Sequence, residues 1–376
     1  MAPLESYRIS ALVQKISIIT LTLALSCSGC QFRYILYAAS HQYRLIRDSV
    51  KVEDALQGDL IESGHKTRLR LVATIKDFGE KELGLKKTLN YQTVYLKSDQ
   101  PTIYILSASP KDSLIMSSWW FPIVGDMPYL GFFDLEGARK EKDRLVKKGL
   151  DVNIGVAEAY STLGWFKDPV TLNLLERSTV ELTETILHEM THNTMYIKGQ
   201  GEFNEGLANL VGKVGALSFM RKTYGDTHPF TIEAENKLVD ERLFSSFLAS
   251  LLEKLDLLYK SDITYQEKLV EREKIFKKSL KEFADIQVNF KTDRFKGFGE
   301  SGLNNAYLMS IGLYNRHFKL FEEAMMEDGN SVENMLNHLQ KMADEGSDML
   351  EGMKGLSSFH DDSGLQRNSS AGLLLR

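Results

Sequence analysis

Apolar residues change their spacing along this chain, and the changes predict its elements. Residues 32–57 spread Phe32, Ile35, Leu36, Tyr43, Leu45 and Ile46 among polar positions, as an amphipathic helix does. A second helix is predicted over 65–82, ended by the Gly/Lys/Asn stretch at 84–90. The pattern then shortens. Residues 93–96 and 103–106 are β-rich runs between turn residues, 121–125 and 131–133 continue them, and 151–156 reads as a further strand. Asp134 is placed to cap a helix running to about Lys148. Beyond residue 170 helical spacing dominates, with helices expected near 180–198, 204–223, 228–258, 262–287, 301–327 and 330–345. The expected fold class is therefore α+β and mostly helical, with a small β-sheet before residue 180 and a helical C-terminal half.

Composition narrows the class only a little. The chain has 376 residues, 43% of them hydrophobic, which is ample for a buried core. Its net charge of -5, with no basic stripe, excludes nucleic acid as a partner. The N-terminus stands apart. Arg8 and Lys15 precede an uncharged apolar run over 16–26, then Ser28, Gly29 and Cys30. The run is shorter than the roughly 20 residues of a spanning helix, and it reads as an export signal. The two cysteines of the chain, Cys27 and Cys30, both lie here. A disulfide or a CxxC site is the alternative, without a folded context around it. The Ser-Gly-Cys-Gln sequence resembles a bacterial lipoprotein processing site, although Cys27 stands where such sites usually carry Leu. That resemblance implies a lipid on Cys30, attachment to a membrane through it, and residence in the bacterial cell envelope on the periplasmic face of the outer membrane. The expected organisation is a leader over 1–30, one domain over 31–350 (a helical part 31–90, a sheet with the site helices over 91–223, and a helical part 224–350), and a loose Ser/Gly-rich tail over 351–376.

One pentapeptide carries chemistry: His188-Glu189-Met190-Thr191-His192. Two histidines four apart on a helix lie on one face, one turn apart, and can take two corners of a tetrahedral zinc site. Glu189 beside them is placed to serve as a base toward a zinc-bound water. With eight histidines in the chain, such a motif arises by chance on the order of 0.01 times. A plain helix with two surface histidines is the competing reading. A catalytic zinc needs a third protein ligand. Glu205, thirteen positions after His192, is the leading candidate, with Asn204 as a helix cap just before it and with Gly199 and Gly201 to turn the chain back. Glu202 and Asn209 are its rivals.

Further segments strengthen this reading. Residues 160–169 (YSTLGWFKDP), the HEMTH pentapeptide, Tyr196-Ile197-Lys198-Gly199, Phe203-Asn204-Glu205 and Leu303-Asn304-Asn305-Ala306, in that order, resemble the bacterial predicted zinc aminopeptidases, which are often lipoproteins. The resemblance spans about residues 26–345. It implies a zincin-like metallopeptidase fold with one zinc ion held by His188, His192 and Glu205, Glu189 as catalytic base, and a peptide as substrate. It departs at Trp120 and Asp126, where the family often has cysteines, so a family disulfide has no counterpart. Thr191 and Gly206 also replace commoner residues.

Secondary candidates follow. Tyr314, with Tyr307 as alternative, is a candidate oxyanion donor on the Asn-Asn-Ala helix, or core packing. Asn304 and Asn305 bind substrate backbone or cap a helix. Tyr160, Ser161 and Gly164 lie in a segment that either pairs with an extended substrate or packs Trp165 and Phe166. An aminopeptidase also needs a carboxylate for the substrate ammonium, and Glu184, Glu202 and Asp168 stand open for that role. His65, His228 and His317 read as ordinary polar residues. The functional alternatives are a zinc-tied lipoprotein without activity and an endopeptidase acting on envelope proteins.

Overall fold

The structure is a computed structural model. It describes residues 40, 43–97, 103–121, 125–132, 134–156, 168–346 and 348–361. Cys27, Cys30, Tyr160, Ser161 and Gly164 lie outside the described residues.

The predicted helix over 32–57 is only partly realised where the chain is described. Strand β1 (Ser49–Lys51) interrupts it and helix α1 (Val52–Gln57) follows. β1 pairs antiparallel with β2 (Thr93–Tyr95), Val50 opposite Val94, and β2 pairs in parallel with a two-residue strand β8 (Val170–Thr171). Pairing satisfies backbone groups that a helix would otherwise bond locally, so the tertiary partner decides the conformation. Helix α2 (Ser63–Glu82) forms as expected and buries Leu69, Val72, Ile75 and Phe78.

A second sheet has the order β6–β3–β7, all antiparallel: β3 (Tyr104–Ser109), β6 (Leu130–Phe132) and β7 (Asp151–Val156). A hairpin of β4 (Trp119–Phe121) and β5 (Gly125–Met127) stands beside it. The period of two sorts the faces of β3 and β7. Leu106, Ala108, Val152 and Ile154 pack with Leu145 of helix α3 (Leu135–Lys147), whose N-cap is Asp134 as predicted. Ser107 and Asn153, on the alternate positions, hydrogen-bond to helix α9 (Asn305–Asn315).

The rest is helical: α4 (Leu172–Leu175), α5 (Thr179–Thr194), α6 (Gly201–Tyr224), α7 (Pro229–Lys260), α8 (Tyr265–Gln287), then α9, α10 (Phe318–Glu327), α11 (Val332–Asp344) and α12 (Met349–Asp361). The single helix expected over 301–327 is two, broken at Arg316 and His317. α5 packs along α6, with α2 and α7 beside the pair. Leu187, Met190, Leu210, Phe219 and Phe321 join the main core there. A second core of Phe244, Phe276, Phe283 and Phe298 binds α7 to α8 and the 290–298 segment. Among the described residues no helix is long and apolar enough to cross a membrane.

Candidate metal centre

Helix α5 is rich in threonine, a β-branched residue of modest helix propensity. Two devices let it form. A capping box joins Ser178 and Glu181 at its start. Thr183, Thr185, Thr191 and Thr194 each donate their hydroxyl to the carbonyl four residues back, so the buried Thr183 and Thr191 leave no unsatisfied donor. The helix stops earlier than expected. Met195 is extended, and Gly199 adopts φ +81° in the turn to α6.

Asn204 does not cap α6. Gln200 is the N-cap, and Asn204 lies one turn inside the helix. Its side chain accepts from Ile197 N and donates to Ile197 O, both at 2.8 Å, which staples the connection onto the helix. Glu205 therefore projects from the second turn of α6 toward α5. The close approach of the two helices rests on Gly212. A Cβ built there would lie 2.9 Å from the carbonyl oxygen of Glu184 and 3.3 Å from His188 Cβ.

Three ligand atoms converge. His188 Nε2 lies 3.1 Å from His192 Nε2, and Glu205 Oε2 lies 3.3 Å and 3.5 Å from them. Bonds of about 2.0–2.1 Å at tetrahedral angles place neighbouring ligand atoms about 3.3 Å apart. The trio thus fits a small metal ion, and among the described residues it is the one group of histidine and carboxylate side chains so arranged. His192 and Glu205 are nearly enclosed, while His188 opens to a cavity. Burial pushes the Glu205 carboxyl up, but the charge of His192 and hydrogen bonds from both histidines outweigh burial and hold it well below the usual carboxylate range. Burial likewise lowers His192, and Glu205 more than offsets this, so the imidazole is raised.

The cavity, of about 1090 Å³, runs from His188 and Glu189 past the α5–α6 pair to the 292–298 segment. Glu189 lines it, with Oε2 buried and without a hydrogen-bond partner among the described residues; His192 Nδ1 is in the same position. Tyr314 lines it too, its ring centroid 6.2 Å from that of His188. One part of the wall is charged (Arg177, Glu181, Glu184, Lys213, Lys237, Arg294), and another is apolar (Ile105, Met116, Phe244, Phe295, Phe298).

Other expected residues stand elsewhere. Asn304 is the N-cap of α9 and accepts from Tyr307 N. Asn305 is fully buried. Its Nδ2 donates to Pro110 O and Ser113 O, and its Oδ1 accepts from Tyr259. Asn304 thus fills the capping role expected of it, Asn305 caps nothing, and neither is among the residues that line the cavity. Asn209, a rival metal ligand, donates to Glu241 Oε1 and to Tyr314 O instead. Glu202, the other rival, pairs with His317 at 2.9 Å. Tyr196, read from the sequence only as part of the 196–199 family segment, packs its ring edge-on to His192 with centroids 6.2 Å apart. Residue patterns missed Lys213, Lys237 and Glu241, all buried. A signal was present: Lys213 is a lone charge in the apolar run 207–219. A buried lysine needs a carboxylate, and Glu241 Oε2 lies 3.1 Å from its Nζ.

No curated protein and no solved structure matches the chain. A family model does: the family described as "Putative aminopeptidase" matches residues 33–350, a span that includes α5, α6 and the whole described cavity wall. The chain belongs to that family.

Proposed function

We propose that the chain is a zinc-dependent aminopeptidase of zincin type, with His188, His192 and Glu205 as the ligands of one zinc ion. The observation that supports this most is the convergence of three ligand atoms at 3.1–3.5 Å beside a cavity-lining glutamate with an unpaired oxygen. A zinc ion there would supply a Lewis acid and an acidified water. Two nitrogens and one carboxylate oxygen leave a fourth position open, which a purely structural site usually does not.

Glu189 then acts as the base. It takes the proton of the attacking water and hands it to the leaving amine. Its Oε2 takes no hydrogen bond from a described residue, which leaves that oxygen available to the water's proton. Tyr314 stands on the same wall and is the candidate donor to the oxyanion. Residues 160–164, including Tyr160, Ser161 and Gly164, are assigned to the extended substrate on the strength of the family resemblance alone.

The proposal includes the cell envelope. The apolar run over 16–26 supports export, and the Ser-Gly-Cys-Gln sequence after it supports lipid attachment at Cys30 and a place on the periplasmic face of the outer membrane. Metabolic labelling with a fatty-acid analogue should mark the wild type and not Cys30→Ser, and equal labelling would remove the anchor from the proposal.

The activity is tested on the chain from residue 31. Zinc content and hydrolysis of short peptides with free and acetylated amino ends would be measured for wild type, Glu189→Gln and Glu205→Ala. About one zinc per wild-type chain is expected, with hydrolysis only of free ends. Glu189→Gln should keep zinc and lose turnover, whereas Glu205→Ala should lose zinc. Full turnover in Glu189→Gln would refute the mechanism, and equal cleavage of blocked peptides would refute the word aminopeptidase.

A further inference from the structure

An enzyme that removes the first residue of a peptide must hold an ammonium close to the bond it cuts. The α-amino nitrogen is separated from the scissile carbonyl carbon by one carbon, about 2.5 Å. A carboxylate oxygen reaches an ammonium at about 2.7–2.9 Å. The anchoring carboxylate therefore stands about 5 Å from the reacting carbon, which is close to one turn of α-helix.

We infer that Glu184 is the anchor for the substrate's free amino end, an inference that rests on the aminopeptidase reading above. Glu184 lies one turn before His188 on α5 and lines the same cavity. Its carboxylate has no hydrogen bond among the described residues. Its ion-pair partners are Lys213 Nζ at 4.0 Å and Lys237 Nζ at 3.7 Å, both beyond hydrogen-bonding reach. Each lysine has a nearer carboxylate of its own. Glu241 is 3.1 Å from Lys213, and Glu181 is 3.3 Å from Lys237, with Glu233 at 3.8 Å. The lysines line the same wall, each with its nearer carboxylate, and leave Glu184 without a hydrogen bond from any described residue, so its oxygens are available to an incoming ammonium.

The other acids do not meet the geometry. Glu181 is two turns from His188, about 10 Å along the axis, and its carboxylate is committed to the capping box and Lys237. Glu202 is taken by His317. Asp168 is buried away from the cavity wall. Glu189 is assigned to the proton transfer.

The test reads binding and turnover separately. Binding of phenylalaninamide and of N-acetyl-phenylalaninamide to the zinc-loaded protein would be measured by calorimetry for wild type, Glu184→Gln and Glu184→Asp. Wild type should prefer the free amine by roughly 10- to 100-fold, the weight of a hydrogen bond to a charged group. Glu184→Gln should bring the two amides to near parity, and Glu184→Asp should fall between. Zinc content of each variant checks that the helix pair is intact. A second measurement needs wild type only. Binding of the amine should weaken as the pH passes the ammonium pKa, about 7.7–8.0 for an α-amino group. If the amine instead coordinated zinc, binding would strengthen there. A preference retained in Glu184→Gln, no preference in wild type, or binding that rises with pH would each overturn the inference. Absence of peptide hydrolysis with the amine preference intact would count against the peptidase reading alone.

Discussion

His188 Nε2 and His192 Nε2 face each other at 3.1 Å, and both face one oxygen of Glu205. Without a cation between them, protons must fill that space. Because Glu205 raises His192 above its ordinary value of 6.5 despite burial, the metal-free site holds a proton at higher pH than a free histidine would. A metal has to displace that proton. Zinc affinity should therefore fall on acidification, beginning above pH 6.5. Chelator competition between about pH 8 and about pH 6 checks this, and an unchanged affinity would contradict it.

Gly212 sets the distance between the helices that carry the ligands. Alanine there would press its methyl 2.9 Å from the Glu184 carbonyl oxygen and force α5 and α6 apart. Gly212→Ala should cost about 1–3 kcal/mol of stability and weaken zinc binding. Gly64, at the start of α2 with nothing within 4 Å of its Cβ position, is the control. Gly64→Ala should be neutral or stabilising by up to about 1 kcal/mol. Equal thermal midpoints for the two variants would remove the packing argument.

Asp151 ties the second sheet to the helices. Its Oδ2 accepts from Arg272 Nη1 at 2.7 Å and from Asn305 N at 3.0 Å, and both side chains of the ion pair are buried. Asp151→Ala strands a buried guanidinium and a backbone N–H, and should destabilise by about 3–5 kcal/mol. The double variant Asp151→Leu, Arg272→Met should recover much of the loss, since no charge is then left unpaired. Denaturant unfolding with an unchanged slope would measure both.

Tyr314→Phe removes only the hydroxyl of a residue that lines the cavity. It should lower kcat by about 10²-fold and leave KM and zinc content near wild type. Tyr196→Phe, beside His192 but outside the cavity lining, should change kcat little. Comparable losses in both would show that packing around the histidines, not the hydroxyl, sets the rate.

Most helices were legible because their cause is local. The Asp134 cap and the helical spacing of 228–258 and 262–287 depend on neighbours a few residues away, and α3, α7 and α8 lie where they were expected. Local signals failed where a distant partner decided the outcome. Residues 49–51 form a strand because Thr93–Tyr95 pairs with them. Asn204 resembles a cap but is held by Ile197. Asn304 caps α9 through Tyr307, a local reading the sequence already offered, whereas Asn305 is held by Tyr259, Pro110 and Ser113, which are remote in sequence.

The same division runs through the site. The sequence by itself determined that His188 and His192 share one face, since a spacing of four on a helix allows no other arrangement. Which carboxylate completes the trio, and which one is left free toward the cavity, depends on how α6 and α7 lie against α5. Glu205 and Lys213 of α6 meet His188 and Glu184 of α5 where Gly212 lets the two backbones approach closely, and Glu241 of α7 reaches Lys213 from a third helix. Side-chain periodicity is a property of one helix. The contact between helices is a property of the packed core, and only the tertiary structure decides it.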